Sequence, residues 1–267
     1  MVRFSPKAVF VVLLVGVAAC SSRKPTTPEE VFAKAERFFA DGAYDLAVET
    51  YRELLDQHPF SDFATEAELR IAHAHYLDGD YVEAVAALTD FQRRHPTSPA
   101  LPMVGYLLGM CHKKRMRSPD RDQSAAREAE EQFLAVIQQY PTSPFAELAR
   151  RELADCQKNL AAQELYVAKF YLRKGNRLAA ERRLLEVVRR YPYTDLCAEA
   201  LYRLGELYRS SRKERAALAY QAVLQGYART RWAGKARRRL DELGVPAVAE
   251  DARAELLAHA GVPAPGS

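Results

Sequence analysis

Thiols, imidazoles and carboxylates are the side chains most able to do chemistry, and their spacing limits what this chain can be. The 267 residues include four cysteines, at 20, 111, 156 and 197, and six histidines. There is no CxxC pair and no Cys/His cluster with the spacing of a metal site. His73 and His75 fall in a helical stretch, and His58 and His95 at turns, where packing and capping suit them better than ligation. The sequence has no GxSxG elbow, HExxH motif, P-loop or GxGxxG turn. Its acidic residues lie on helix faces in register with Lys and Arg, as solvated surfaces do. The expected protein is not an enzyme and holds no cofactor and no metal.

Cys20 is the exception, and its chemistry is acylation. Arg3 and Lys7 open the chain with positive charge, and "AVFVVLLVGVA" (8–18) follows as an apolar run. As a helix that run spans about 16 Å, against a bilayer core of about 30 Å, so it does not cross a membrane. "VAAC" then sets small residues before the thiol, and polar "SSRKPTTPEE" comes next. A plain cleaved secretory signal also ends in small residues. The placement here resembles the lipobox of bacterial lipoproteins. On that resemblance residues 1–19 are a signal peptide and Cys20 carries a diacylglycerol on sulfur and an acyl chain on nitrogen. Several chains anchor stably where one is marginal. Residues 20–27 become a lipidated linker, and Ser21, in place of an inner-membrane-retaining Asp, implies the periplasmic face of the outer membrane. The periplasm permits disulfides. Cys111, Cys156 and Cys197 are odd in number and set among apolar neighbours, and read as small buried hydrophobes.

The remaining residues position a surface by repetition. "HPFSD" (58–62), "HPTSP" (95–99), "YPTSP" (140–144), "YPYTD" (191–195) and "YARTR" (227–231) are variants of one phrase. Twelve residues before the second letter of each stands an alanine: Ala47, Ala84, Ala129, Ala180 and Ala216. Four residues after the alanines come Tyr51, Leu88, Phe133, Leu184 and Tyr220, and seven after come Leu54, Phe91, Val136, Val187 and Val223. This i, i+4, i+7, i+11 spacing is one stripe of an α-helix. Gly42, Gly79 and Gly175 precede three of these helices and suit a left-handed residue ending an earlier one. In the first four phrases proline stops the helix, the fifth having Ala228 in its place, and Ser61, Ser98, Ser143, Thr194 or Thr230 is the expected N-cap of the next. Pro99 and Pro144 are expected at the first helical position, and Thr27 with Glu30 makes a capping box. Helix pairs of about 36 residues with these markers resemble the tetratricopeptide repeat. The expected fold is all-α: a right-handed α-solenoid of about five such pairs over 28–243, with one extended helix near 144–174. Residues 244–267 are expected as a short amphipathic piece and a flexible C-terminal tail.

Charge gives the solenoid a direction. The net charge is +4, and +2 without Arg3 and Lys7, too small to suggest nucleic acid. Acidic residues dominate 29–58, and basic residues dominate 169–190 and 203–239. That gradient favours an acidic partner or anionic headgroups at the C-terminal half. Arg183 lies at the edge of the buried stripe of its helix, with Arg190 one heptad on. It can pair with a partner's carboxylate or form an internal salt bridge.

The leader, five repeats, "DRDQSAAREAEEQFLAVIQQYPTSPFAE" (120–147) and "LAAQELYVAKFYLRKGNRLAAERRLLEVVRRYPYTD" (160–195) together resemble the BamD family of β-barrel assembly lipoproteins, over about residues 20–243. The resemblance implies a non-catalytic scaffold at the outer membrane. It implies binding of a POTRA domain of a BamA-like barrel protein through Arg183, with Arg190 beside it. It also implies binding of unfolded outer-membrane proteins in the N-terminal half, in a groove near Phe60, Phe63 and Tyr76, and possible contact with other assembly lipoproteins. The alternative reading is a periplasmic tetratricopeptide lipoprotein that serves as an adaptor for peptidoglycan enzymes or cell division.

Overall fold

The structure is a computed structural model and describes residues 26–245 and 249–261. The leader at 1–19, Cys20 and the last residues of the expected tail lie outside the described residues. The described residues form twelve α-helices: α1 (Pro28–Ala40), α2 (Tyr44–Gln57), α3 (Ala64–Asp78), α4 (Tyr81–Arg94), α5 (Leu101–Lys114), α6 (Ser124–Gln139), α7 (Pro144–Arg173), α8 (Arg177–Arg190), α9 (Asp195–Tyr208), α10 (Lys213–Gly226), α11 (Arg231–Leu243) and α12 (Ala252–His259). Each of α1 to α10 packs on the next in sequence, and α3, α5, α7, α9 and α11 also pack on one another in order. Contacts that run almost wholly between neighbours are those of a solenoid. The five helix pairs are α1/α2 through α9/α10, and α7 is the extended helix, 30 residues long.

The alanine stripe is the core. Ala47, Ala84, Ala129, Ala180 and Ala216 have no exposed surface, nor do Tyr51, Leu88, Phe133, Leu184 and Tyr220 four residues later. The partner helix offers a small residue against the bulky one. Gly109 faces Phe133, Gly105 faces Val136 and Gly205 faces Tyr220, each so closely that a Cβ would collide. Cys111, Cys156 and Cys197 are buried free thiols. Burial pushes them up to about 11, about 12 and about 11, which keeps them protonated and unreactive.

The recurring phrase does most of what its letters predict. Pro144 begins α7 and Ser143 caps it, accepting from the Phe145 N–H. Thr27 and Glu30 form the capping box of α1. Gly42, Gly79 and Gly175 have φ of 75°, 92° and 73°, in the left-handed region that side chains avoid. The other caps need correction. Thr194 and Thr230 sit at the N-cap, but their hydroxyls donate back to the carbonyls of Tyr191 and Tyr227. Ser61 and Ser98 lie too early, because an extra turn intervenes before α3 and α5 begin, and Pro99 falls in that turn rather than at the first helical position. A hydroxyl that bonds its own preceding turn fixes the bend as a cap would, so the type of residue is right while the bond is different.

A polar clamp recurs at both ends. The Tyr51 hydroxyl donates to Glu36 of α1, and Arg70 of α3 pairs with the same carboxylate at 2.9 Å. In the fifth pair Tyr220 donates to Glu206 of α9 at 2.7 Å, and Arg239 of α11 pairs with it at 3.0 Å. One carboxylate thus ties three helices, and charge-assisted bonds are the stronger kind.

The amphipathic piece after α11 packs back on the solenoid. It does not trail away: Ala249, Ala252, Leu256 and Leu257 are buried in the largest core cluster. α12 folds back across α10 and reaches α8, and it makes no comparable contact with α11. Gln225 donates to the Ala249 carbonyl and accepts from the Ala252 N–H, and Arg215 donates to the His259 carbonyl. Apolar residues spaced along the piece left its partner open, and the partner turned out to be the back of the fourth and fifth pairs.

Candidate protein-interaction surface

Arg183 stands on α8, half-exposed, and its Nη1 donates to both oxygens of Glu164 on α7, at 3.0 and 3.3 Å. The internal salt bridge weighed for it is present, and the Arg183 side chain remains 47% exposed. Arg190, at the end of the same helix, donates through Nη2 to Glu130 of α6 at 3.1 Å and lies over the Tyr191 ring. Glu130 is buried. The basic stretches pair internally to a large extent: Arg189 with Glu186, Arg203 with Glu199, and Arg212 with Glu181. The basic residues exposed at the C-terminal end are those on and before α11, among them Arg229, Arg231, Lys235, Arg237 and Arg238.

The three aromatic residues of the expected N-terminal groove do not share one surface. Phe60 is 99% exposed at the tip of the turn between α2 and α3. Phe63 is partly buried and stacks on Phe32 at 4.9 Å. Tyr76 lies at the other end of α3, about 20 Å from Phe63 at 1.5 Å per residue. There it joins a line of rings running Phe39, His73, Tyr76, Tyr81, with centroids 5.5, 6.4 and 6.0 Å apart. Burial, and then the charge of Arg70, hold His73 below its ordinary pKa and favour its neutral, stacking form.

A second aromatic site was not singled out from the sequence. Tyr202 of α9 and Trp232 of α11 lie 5.1 Å apart. With Leu172, Arg177, Arg203, Glu206, Leu207 and Lys235 they line an open groove of about 360 Å³. Arg231 and Lys235 flank the indole at 4.8 and 4.9 Å. Apolar floor and cationic rim suit an apolar side chain beside a carboxylate. The signal was the sole Trp of the chain, at the start of a basic helix.

Beside it lies the most buried charge bridge of the C-terminal half. Glu199 is buried and accepts from Lys169 of α7 and Arg203 of its own helix at 2.7 and 2.8 Å. Burial alone would raise its pKa, but the two cations outweigh it and hold the carboxyl below its ordinary range. A depressed folded-state pKa means the stabilisation is present above the unfolded value of about 4.3 and is lost as pH falls through the folded one. Glu199→Gln is expected to lower the melting temperature at pH 7 and to flatten its fall below about pH 4.3, as followed by circular dichroism.

Among the described residues no group of His, Cys, Asp and Glu is placed to hold a metal ion, and no helix is long and apolar enough to cross a membrane. Known proteins add the remaining constraint. The family model YfiO, outer membrane lipoprotein, matches residues 24–224. An outer membrane protein assembly factor BamD of Caulobacter vibrioides is 31% identical over 89% of this chain and 81% of its own. BamD proteins of Vibrio cholerae and Neisseria meningitidis are 28% and 30% identical, over 68% and 74% of this chain and 81% and 78% of theirs. A helical solenoid matched in this way along most of its length belongs to the BamD (YfiO) family of outer membrane lipoproteins.

Proposed function

We propose that the chain is a non-catalytic scaffold for assembly of outer-membrane β-barrel proteins. The observation that carries this reading is the family match over residues 24–224, joined to a fold whose described residues offer binding faces. Cys20 anchors the chain in the outer membrane through its acyl groups, with the solenoid in the periplasm. The C-terminal pairs hold a POTRA domain of a BamA-like barrel protein, with the half-exposed Arg183 as one contact. The N-terminal half engages unfolded outer-membrane proteins along the ring line at Tyr76. Apolar curved surfaces without a catalytic constellation support binding rather than turnover.

The test is recovery of partners from detergent-solubilised membranes with the acylated protein. Arg183→Glu is expected to lower recovery of a POTRA-containing barrel protein at least tenfold. Because the reversal also faces Glu164 with a second carboxylate, the swap Arg183→Glu with Glu164→Arg restores the internal pair. Recovery that stays low in the swap assigns the effect to the cation at position 183. Recovery indifferent to both variants moves the interface elsewhere. Capture of peptidoglycan enzymes or division proteins in place of a barrel protein overturns the assembly function.

A further inference from the structure

Helices α1, α3, α5, α7, α9 and α11 begin on the edge where α2, α4, α6, α8 and α10 end, so that edge carries all five turns of the recurring phrase. The chain enters the fold on that edge. His58, in the first of those turns, places its Nε2 3.1 Å from the carbonyl oxygen of Thr26. Thr26 lies six residue steps after Cys20, a span of at most about 20 Å. A lipid on Cys20 therefore keeps the first turn within that reach of the bilayer. Phe60 sits two residues from His58, at the tip of the turn, and is 99% exposed. The same tip is Thr97 in the second pair and Thr142 in the third. The opposite edge is acidic over the first two pairs, with Asp41, Asp78 and Asp80 at its turns. Between Cys20 and the fold stand Arg23 and Lys24, which favour anionic headgroups.

We infer that Phe60 is a second membrane contact: its ring enters the lipid–water interface beside the acylated Cys20 and fixes the first helix pair edge-on to the bilayer. Phe is one of the side chains whose apolar body buries at the headgroup–acyl boundary of an interfacial element. The acyl chains alone tether the solenoid and leave it free to swivel. A ring inserted at the first turn removes that freedom and turns the acidic edge away from the headgroups. The inference rests on acylation of Cys20.

The chain has one tryptophan, Trp232, so an added indole is easily read. The acylated full-length protein is reconstituted on phosphatidylethanolamine/phosphatidylglycerol vesicles with and without brominated acyl chains. Three forms are compared: wild type, Phe60→Trp, and Tyr193→Trp, the equivalent tip three helix pairs further on, itself 93% exposed. Both positions are exposed, so neither variant disturbs the core. The expected result is at least twofold quenching of the indole added at 60, with a blue-shifted emission, and less than half that effect at 193. Vesicle-bound protein with an unquenched probe at 60 overturns the proposal while leaving the anchor intact. Equal quenching at 60 and 193 overturns the specific role of the first turn. Protein that stays off the vesicles overturns acylation of Cys20, and the proposal falls with it.

Discussion

Replacing Gly205 by alanine is expected to destabilise the fold by about 2 kcal/mol, although alanine is the better helix former by about 1 kcal/mol. The new methyl would lie 2.6 and 2.7 Å from Cζ and Cδ1 of Tyr220. The ring is hemmed in, because its hydroxyl is bonded to Glu206 and it packs tilted against Tyr202 with ring centroids 5.8 Å apart. Overpacking of this kind costs about 1–3 kcal/mol and more for a rigid neighbour, so the clash outweighs propensity. The melting temperature should drop by roughly 4–8 °C for a chain of this size. Gly234 is the internal control. It is also helical, but nothing lies within 4 Å of its Cβ position, so Gly234→Ala should raise stability by up to about 1 kcal/mol. Combining Gly205→Ala with Tyr220→Leu should recover part of the loss, since leucine fills the same place in the second and fourth pairs. Two Gly→Ala changes of the same sign would refute the account of the stripe.

Arg190→Ala is expected to cost about 2–3 kcal/mol, against less than about 1 kcal/mol for Arg183→Ala. The two look alike in sequence, a heptad apart on one helix, but their carboxylates differ. The Glu130 side chain is 9% exposed, and losing Arg190 strands it. Removing one partner of a fully buried pair costs about 3–5 kcal/mol, and the partial exposure of Arg190 lowers that figure. The pair of Arg183 is nearer the surface, where salt bridges contribute about 0–1 kcal/mol. Glu130→Gln in the Arg190→Ala background should restore much of the loss, because a neutral amide tolerates burial. Thermal melts of the four proteins check this directly. They also calibrate partner capture: a defect in Arg190→Ala is to be compared at matched folded fraction before any contact is assigned to it.

Helix pairing was legible because it depends on spacing alone. Ala180, Leu184 and Val187 can be placed in a core without knowing their neighbours, since only a helix puts them on one face. The left-handed glycines and the capping box at Thr27 were legible for the same reason, each being settled within a few residues. What depended on distant chain was not. Nothing near Arg183 in sequence indicates Glu164 as opposed to a partner's carboxylate, because both satisfy the same geometry. Phe60, Phe63 and Tyr76 look like one aromatic group by composition, yet a helix of fifteen residues separates the ends of the set. Tyr202 and Trp232 look unrelated and meet across two helices. α12 was hidden because its partner surface is made by α8 and α10, which the sequence shows only as exposed backs of their own pairs.

The way α12 doubles back makes the two ends of the stack unequal in how they come apart. A linear array frays from its termini, each end unit being held by a single neighbour. At the start, among the described residues, α1 rests on α2 and reaches α3 only through a few side chains such as Glu36 and Phe39. At the finish, α12 straddles the fourth and fifth pairs, so the last pair cannot peel away until that bridge has been released. Local opening therefore begins at α1 and leaves the C-terminal pairs assembled: the first pairs are the yielding half of the array, and the last pairs are the rigid one.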